Sequence, residues 1–101
     1  MSKSIHTPEV DQLFRSVLTL KTVEECYLFF EDVCTVNELL SLAQRLEVAR
    51  LLRSNMTYLD ISRKTGASTA TISRVNRSLE YGNDGYMLAL ERVEKEEQGE
   101  K

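Results

Sequence analysis

The chain has 101 residues, of which 42% are hydrophobic and 29% charged, and its formal net charge is −3. This length favours one domain with a modest core, and the apolar fraction argues against wholesale disorder. One proline and four glycines favour helices over a turn-rich β fold. No apolar run approaches the roughly 18 residues that are needed to cross a bilayer.

The first part of the chain contains two helix-forming patterns. Thr7 followed by Pro8 is typical of an N-cap and a first helical residue, and an apolar stripe follows it. Thr22 with Glu25 three residues later is a capping-box pair that opens a second segment, which is apolar over much of its circumference. These patterns predict helices from Pro8 to about Leu20 and over residues 23–33.

A second capping-box pair, Thr35 with Glu38, predicts the longest helix, over residues 36–53. We expect its inward face to carry the apolar residues Leu39, Leu42, Ala43, Leu46, Ala49 and Leu52. The pair Asn55-Met56 interrupts this periodicity and ends the helix.

Two shorter helices and a final helix follow. Thr57 begins the fourth helix, which is expected to stop at Gly66 because glycine readily adopts the left-handed conformation of a sharp helix exit. Ser68 caps the fifth helix, which runs to about Tyr81. A turn over residues 82–85 precedes a sixth helix, predicted over 86–95 with Met87, Leu90 and Val93 on its apolar face, and residues 1–6 and 96–101 are expected to be flexible tails.

Charge is distributed unevenly along the chain. Residues 1–49 and 82–101 are acidic, whereas residues 50–81 carry six basic and two acidic side chains. A local basic patch can contact phosphates in an acidic protein, because salt screens charges beyond roughly 8–10 Å. A basic cluster alone can equally be a solvated face. Its position on the predicted helices therefore decides between a phosphate-binding patch and a solvated face.

The basic segment coincides with the fourth and fifth helices. Ile61 and Thr65 are expected to face Ile72, Val75 and Leu79, which pack the two helices together, and Ala67 is small enough for the turn. Small polar and basic residues remain outward, as in a helix-turn-helix that reads the major groove. A corner that serves only packing is the alternative. The residues expected to contact DNA are Arg53, Thr57, Arg63, Lys64, Ser68, Thr69, Ala70, Ser73, Arg74 and Arg77.

The chain offers little for catalysis or metal binding. Cys26 and Cys34 would lie about 12 Å apart along one helix, too far for a disulfide, and we expect them to be core thiols in a reducing compartment. The single histidine, His6, lies in the predicted tail, which argues against a metal site and a histidine general base. We therefore expect a non-enzymatic protein without cofactor. The N-terminus lacks the apolar centre of a secretory signal, so we expect a cytoplasmic protein without membrane contact.

The stretch from Thr35 to Leu79, and above all the run GASTATISR followed by NRSL, resembles the Trp repressor superfamily, most closely its Firmicutes branch, the YerC/YecD proteins. The resemblance extends to the six-helix plan over nearly the whole chain. It implies one all-α domain over residues 1–101 that forms an intertwined homodimer, with two fifth helices about one turn of DNA apart.

The resemblance also implies an effector pocket. The positions that match the pocket of the founding member, which binds a small indole co-repressor, are Thr35, Arg45, Thr71, Arg74 and Ser78. The family motif has a glycine directly after the arginine of the reading helix, whereas this chain has Val75. A β-branched side chain there would occupy the space of an indole ring, which disfavours tryptophan, and a structural role is expected for Arg45, pairing with a carboxylate or capping a helix.

Together these patterns predict a dimeric, sequence-specific regulator of transcription, a repressor by resemblance, that binds double-stranded DNA. A helical module that binds another protein instead of DNA is the alternative. Salt dependence separates the two, because neutralising phosphates makes DNA binding weaken steeply as salt rises.

Overall fold

The computed structural model describes residues 4–99, which form six α-helices and contain no strand. This agrees with the predicted all-α, six-helix fold. The helices are α1 (Pro8–Val17), α2 (Val23–Val33), α3 (Val36–Arg53), α4 (Tyr58–Thr65), α5 (Thr69–Tyr81) and α6 (Gly85–Glu97).

The capping box forms in full at the predicted start of α3, and at α2 only the bond from the Glu25 N–H to the Thr22 hydroxyl forms. At α3 the exchange is reciprocal, since the Glu38 N–H donates to the Thr35 hydroxyl (3.1 Å) and the Thr35 N–H to the Glu38 carboxylate (2.8 Å). The Thr35 N–H lowers the pKa of the Glu38 carboxyl. At α2 the Glu25 carboxylate accepts instead from the Lys21 N–H, one residue before Thr22, at 2.8 Å. The side chain therefore still satisfies a free donor before the helix begins.

Helix α1 begins as predicted and ends early. The Thr7 hydroxyl accepts from the backbone of the first turn, and Pro8 follows it. The predicted end at Leu20 is wrong by three residues, because the helix ends at Val17. There both the N–H and the hydroxyl of Thr19 donate to the Ser16 carbonyl, which tightens the chain into a turn.

Packing of the backbone divides the chain into two compact units whose boundary falls within α3, the first ending at Leu39 and the second beginning at Leu40. In the first unit, α1 and α2 contain no buried residue. Many of their large apolar side chains are exposed, including Phe14 (54%) and Leu28 (69%). The rings of Phe29 and Phe30 pack edge to face with centroids 5.2 Å apart. These two helices therefore lack a core of their own within the chain.

The second unit contains the buried core. It is formed by Val48, Ala49, Leu51, Ile61, Ala67, Ile72, Val75 and Leu90, with Leu52, Met56, Leu79 and Tyr86 packed against it. The inward face expected for α3 is thus partly wrong. Ala49 is buried and Leu52 half-buried, whereas Leu42, Ala43 and Leu46 are exposed. Apolar residues surround this helix on more than one side, so periodicity alone selected the wrong side.

Helix α6 is longer than predicted at both ends. It begins at Gly85 and reaches Glu97, two residues beyond the predicted end at Lys95, so part of the expected C-terminal tail is helical. Leu90 is buried and Met87 half-buried, while Val93 is exposed. The rest of the predicted tails falls partly on residues 1–3 and 100–101, which lie outside the described residues.

Two further observations concern the chemistry of these helices. Cys26 and Cys34 are both free thiols, as their spacing predicted, but the expectation that they lie in the core is wrong, because both are only half-buried. Within residues 4–99, no helix combines the length and the hydropathy that crossing a bilayer requires.

Candidate nucleic-acid interface

Helices α4 and α5 pack against each other through a small apolar core. Ile61 from α4 and Ile72 and Val75 from α5 are almost completely buried, and Leu79 is half-buried. Ala67, between the helices, is also buried. This is the packing predicted from the spacing, and it holds two short helices that would be marginal in isolation.

The turn between these helices contains residues with distinct roles. Gly66 ends α4 in the left-handed conformation (φ +75°), where a side chain would be strained. Ser68 has an extended backbone, and its hydroxyl accepts from the Thr71 N–H at 3.1 Å, which caps α5. The residue that ends α4 and the residue that caps α5 are therefore only two positions apart in the chain.

The side chains that the sequence placed on the outward face of α5 are exposed. This holds for the N-cap Ser68, for the polar residues and alanine of the first turns, and for both arginines further along: Thr69, Ala70, Ser73, Arg74 and Arg77. Short side chains near the helix start would let the backbone approach a ligand closely. The N-terminal N–H groups of the helix add positive charge density at the same end.

Two basic residues of the last turn of α4, Arg63 and Lys64, are also exposed. The hydrogen bond from Arg50 lowers the pKa of the Glu47 carboxyl on α3, and the positive charge of Lys64 lowers it slightly further. The Arg50 Nε lies 2.8 Å from the Glu47 carboxylate. Arg50 is therefore paired within its own helix, while Arg63 and Lys64 extend the basic surface beyond α5.

Arg53 differs from the other predicted contact residues. Its Nη1 lies 3.1 Å from the carboxylate of Glu94 on α6, and only 23% of its side chain is exposed. Thr57 is exposed, but its hydroxyl caps α4 by accepting from the Asp60 N–H at 3.2 Å. Both residues thus have structural partners within the chain.

The predicted effector residues have separate environments. Thr35 belongs to the first unit and takes part in the capping box of α3. The Arg45 Nε donates within α3 to the Ser41 carbonyl at 3.5 Å, and no carboxylate between residues 4 and 99 lies within ion-pair distance of it. The Thr71 hydroxyl accepts from that of Ser68, and Arg74 is exposed. The expected carboxylate partner of Arg45 is thus not found.

Ser78 lines a cavity of about 400 Å³ together with Leu46, Gly82, Asn83, Gly85, Tyr86 and Ala89. No other predicted effector residue lines it. Val75, at the position where the family motif has glycine, is 1% exposed and belongs to the core, as its spacing predicted.

Sequence reasoning missed the polar side chains that hold the α4–α5 turn. The Gln44 amide on α3 donates to the Thr65 carbonyl at 3.1 Å, and the Ser62 hydroxyl donates to the Ala67 carbonyl at 2.8 Å. The serine lies five residues from its partner, beside a predicted helix end, so a local signal existed. Gln44 lies 21 residues from Thr65, and no local pattern marks such a pair.

The arrangement offers hydrogen-bond donors, cations and a helix N-terminus on one exposed pair of helices. No group of three potential metal ligands occurs among the residues that the structure describes. Exposed arginine, lysine and hydroxyl groups are suited to phosphates and base edges.

Comparison with known proteins agrees with this geometry. The family model described as Trp repressor protein matches residues 8–94. The chain is 65% identical over 89 residues to the uncharacterized protein YerC of Bacillus subtilis (strain 168), covering 88% of this chain and 86% of YerC.

Two solved structures share the fold. One is a TrpR-like protein from Eubacterium eligens ATCC 27750, with TM-score 0.86, 65% identity and coverage of 88% of this chain and 92% of that one. The other is a putative Trp repressor from Staphylococcus aureus, with TM-score 0.86, 52% identity and coverage of 89% and 90%. The chain therefore belongs to the Trp repressor family and is similar over most of its length to YerC.

Proposed function

We propose that this protein is a sequence-specific DNA-binding regulator of transcription, acting as a repressor by family resemblance, without catalytic activity and without a cofactor. The observation that carries the proposal is the exposed outer face of α5, held on α4 by a buried apolar core. In this arrangement α5 enters the major groove, and membership in the Trp repressor family supports DNA binding.

The contact residues divide by chemistry. Arg63, Lys64 and Arg77 neutralise phosphates and position the protein, which carries no sequence information by itself. Arg74 can bind either a phosphate or a guanine. The base edges are contacted by the short side chains of the helix start, which are Ser68, Thr69, Ala70 and Ser73. Thr57 and Arg53 contribute least, because a cap and an ion pair already engage them.

The protein acts as a homodimer in this proposal. Helices α1 and α2 contain no buried residue, although they carry large apolar side chains such as Phe14 and Leu28. An apolar surface of this kind is costly in water and marks an interface. A second copy would cover it and complete one folded domain from two chains. The two reading helices would then face successive major grooves of a palindromic site, about 34–36 Å apart.

Tryptophan is disfavoured as an effector. The side chain of Val75 fills space within the core beside Arg74, where a glycine would leave room for a ring. Free Cys26 and Cys34 suit a reducing cytoplasm, where we place the protein.

The decisive experiment is selection of bound sequences from a random duplex pool by purified protein without added ligand. We expect enrichment of a palindrome, because two identical helices would read two half-sites. Affinity for the selected duplex should fall as salt rises, with a log–log slope of about −0.9 for each neutralised phosphate. Failure to enrich any sequence, with no salt-sensitive duplex binding, would reject the proposal and favour a protein-binding module.

A further inference from the structure

The α4–α5 turn is held by side-chain hydrogen bonds as well as by its apolar core. The Ser62 hydroxyl donates to the Ala67 carbonyl (2.8 Å), and the Ala67 N–H donates to the Thr65 hydroxyl oxygen (3.1 Å). The Thr65 hydroxyl in turn donates to the Ile61 carbonyl at 2.8 Å. The backbone between the two helices is therefore tied to α4 at several points within a few residues.

One bond connects this network to a third helix. The Nε2 of Gln44, on α3, donates to the Thr65 carbonyl at 3.1 Å in a partly buried position. Thr65 is the last residue of α4, and the final carbonyls of a helix have no partner in the helix itself. Gln44 supplies the missing donor and so links the turn to α3.

The hydrogen bond from Gln44 to the Thr65 carbonyl constrains the direction of the chain where α4 ends. Apolar contacts tolerate small rotations, because the hydrophobic effect has no preferred direction, whereas a hydrogen bond weakens steeply as its angle departs from linear. Gly66 has no Cβ to restrict its backbone dihedral angles. Only three residues separate Thr65 from the first residue of α5. A small change at Thr65 would therefore redirect the start of α5.

We infer that Gln44 is a positioning residue for the reading helix: its amide fixes the α4–α5 turn against α3 and thereby sets the direction of α5. The inference rests on the proposed function for its effect on DNA. Its effect on the turn can be measured without DNA.

The test replaces Gln44 by leucine, which has nearly the same size and no donor. The amide protons of Gly66 and Ala67 should exchange about fivefold faster with solvent, in line with the loss of about 1 kcal/mol of hydrogen-bond energy. The ratio of affinities for a selected duplex and a random duplex should fall by a similar factor. Ser54→Ala is the matched control, because it removes a hydroxyl that bonds the Arg50 carbonyl on the same helix and does not reach the turn.

A second variant guards against a packing effect. Gln44→Glu keeps the shape and replaces the donor with a carboxylate, so it should shift both measurements at least as far as Gln44→Leu. All measurements are made well below the unfolding temperature of each variant, which is determined separately.

The possible outcomes separate the inference from the proposed function. Unchanged amide exchange at Gly66 and Ala67 in both variants would overturn the inference. Equal loss of affinity for both duplexes would also overturn it, since general destabilisation does not alter their ratio. If the native protein bound no duplex while both variants exchanged faster at the turn, the link from Gln44 to the turn would stand and the DNA-binding function would fail.

Discussion

At the scale of single residues, the candidate interface depends on two kinds of side chain with different roles. The cations Lys64 and Arg77 are exposed and can follow a phosphate backbone whatever its sequence. Thr69 and Ser73 are short, exposed and near the helix start, where they can meet base edges. Substitution of the cations should therefore change the affinity for DNA, whereas substitution of the short polar residues should change the sequence preference.

Arg77→Ala should weaken binding to all duplexes and lower the salt slope by about one, because one phosphate contact is lost. Ser73→Ala should instead change the preferred base at one position of the site and leave affinity for random duplexes nearly unchanged. Fluorescence anisotropy over a salt series and a repeat of the sequence selection measure these effects.

Arg92→Ala is the charge-matched control for Arg77→Ala, since Arg92 is exposed on α6 and not on α4 or α5. If Arg92→Ala weakened binding as much as Arg77→Ala, total charge and not the α5 face would determine affinity. If Arg77→Ala and Lys64→Ala combined left affinity intact at low salt, the contact face would be assigned wrongly.

Gly66→Ala should destabilise the protein by about 1–2 kcal/mol, which is the cost of a left-handed conformation for a residue with Cβ. No atom lies within 4 Å of the added carbon, so the cost comes from the backbone alone. Urea denaturation measures it. Gly85→Ala is the control, because its added carbon is equally free of contacts and its φ lies outside the left-handed region. Equal loss in both variants would contradict this account of Gly66.

At the scale of elements, α3 contributes core residues, a hydrogen bond to the α4–α5 turn and exposed apolar side chains. The part of this helix from residue 40 onward buries Val48 and Leu51 in the core of the second unit and carries Gln44 to the turn. Leu42 and Leu46, on the same helix, are exposed within the chain. A helix with apolar residues on several sides needs more than one partner surface.

The ion pair between Arg53 and Glu94 links α3 to α6. Glu94→Gln should cost about 1 kcal/mol of stability or less, because the Glu94 side chain is 54% exposed and solvent screens the pair. It should also strengthen binding to random duplexes, because the guanidinium of Arg53 would no longer be neutralised. Thermal denaturation and anisotropy at low salt measure the two effects.

Glu91→Gln on the same helix is the matched control, since it removes the same charge from an exposed residue. Equal strengthening in both variants would show that net charge, and not release of Arg53, is responsible.

At the scale of the whole molecule, the decisive property is the exposed apolar surface of the first unit. Leu28→Glu should shift the protein from dimer to monomer or unfold it, because burying a leucine contributes about 1.5–3 kcal/mol and a symmetric dimer loses two. Sedimentation velocity gives the mass. Gln12→Glu adds the same charge at an exposed polar site of α1 and should leave the dimer intact. A monomeric native protein would contradict the proposed dimer.

Local signals predicted much of the fold because their physical causes are local. The caps at Thr35 and Ser68 and the exit at Gly66 each involve atoms only a few residues apart, and the helices begin and end there as expected. The predicted end of α1 was wrong because a single turn of threonine hydrogen bonds stopped the helix before its apolar pattern ended.

In the candidate site, the buried and exposed faces of α5 could be predicted from the sequence, but the ion pair of Arg53 could not. Spacing alone placed Ile72 and Val75 inside and Ser73 and Arg77 outside on α5, and the structure has them so. The ion pair of Arg53 was not predictable, because Glu94 lies 41 residues away and no local pattern connects the two.

The amino-acid sequence by itself determined the number of helices, most of their ends and the face that α5 exposes, because capping and helical periodicity act within one or two turns. Tertiary structure decided which side of α3 is buried, that Glu94 neutralises Arg53, and that Gln44 reaches the turn at Thr65. Those outcomes depend on which helices meet, and contacts between groups far apart in the chain leave no periodic trace in it.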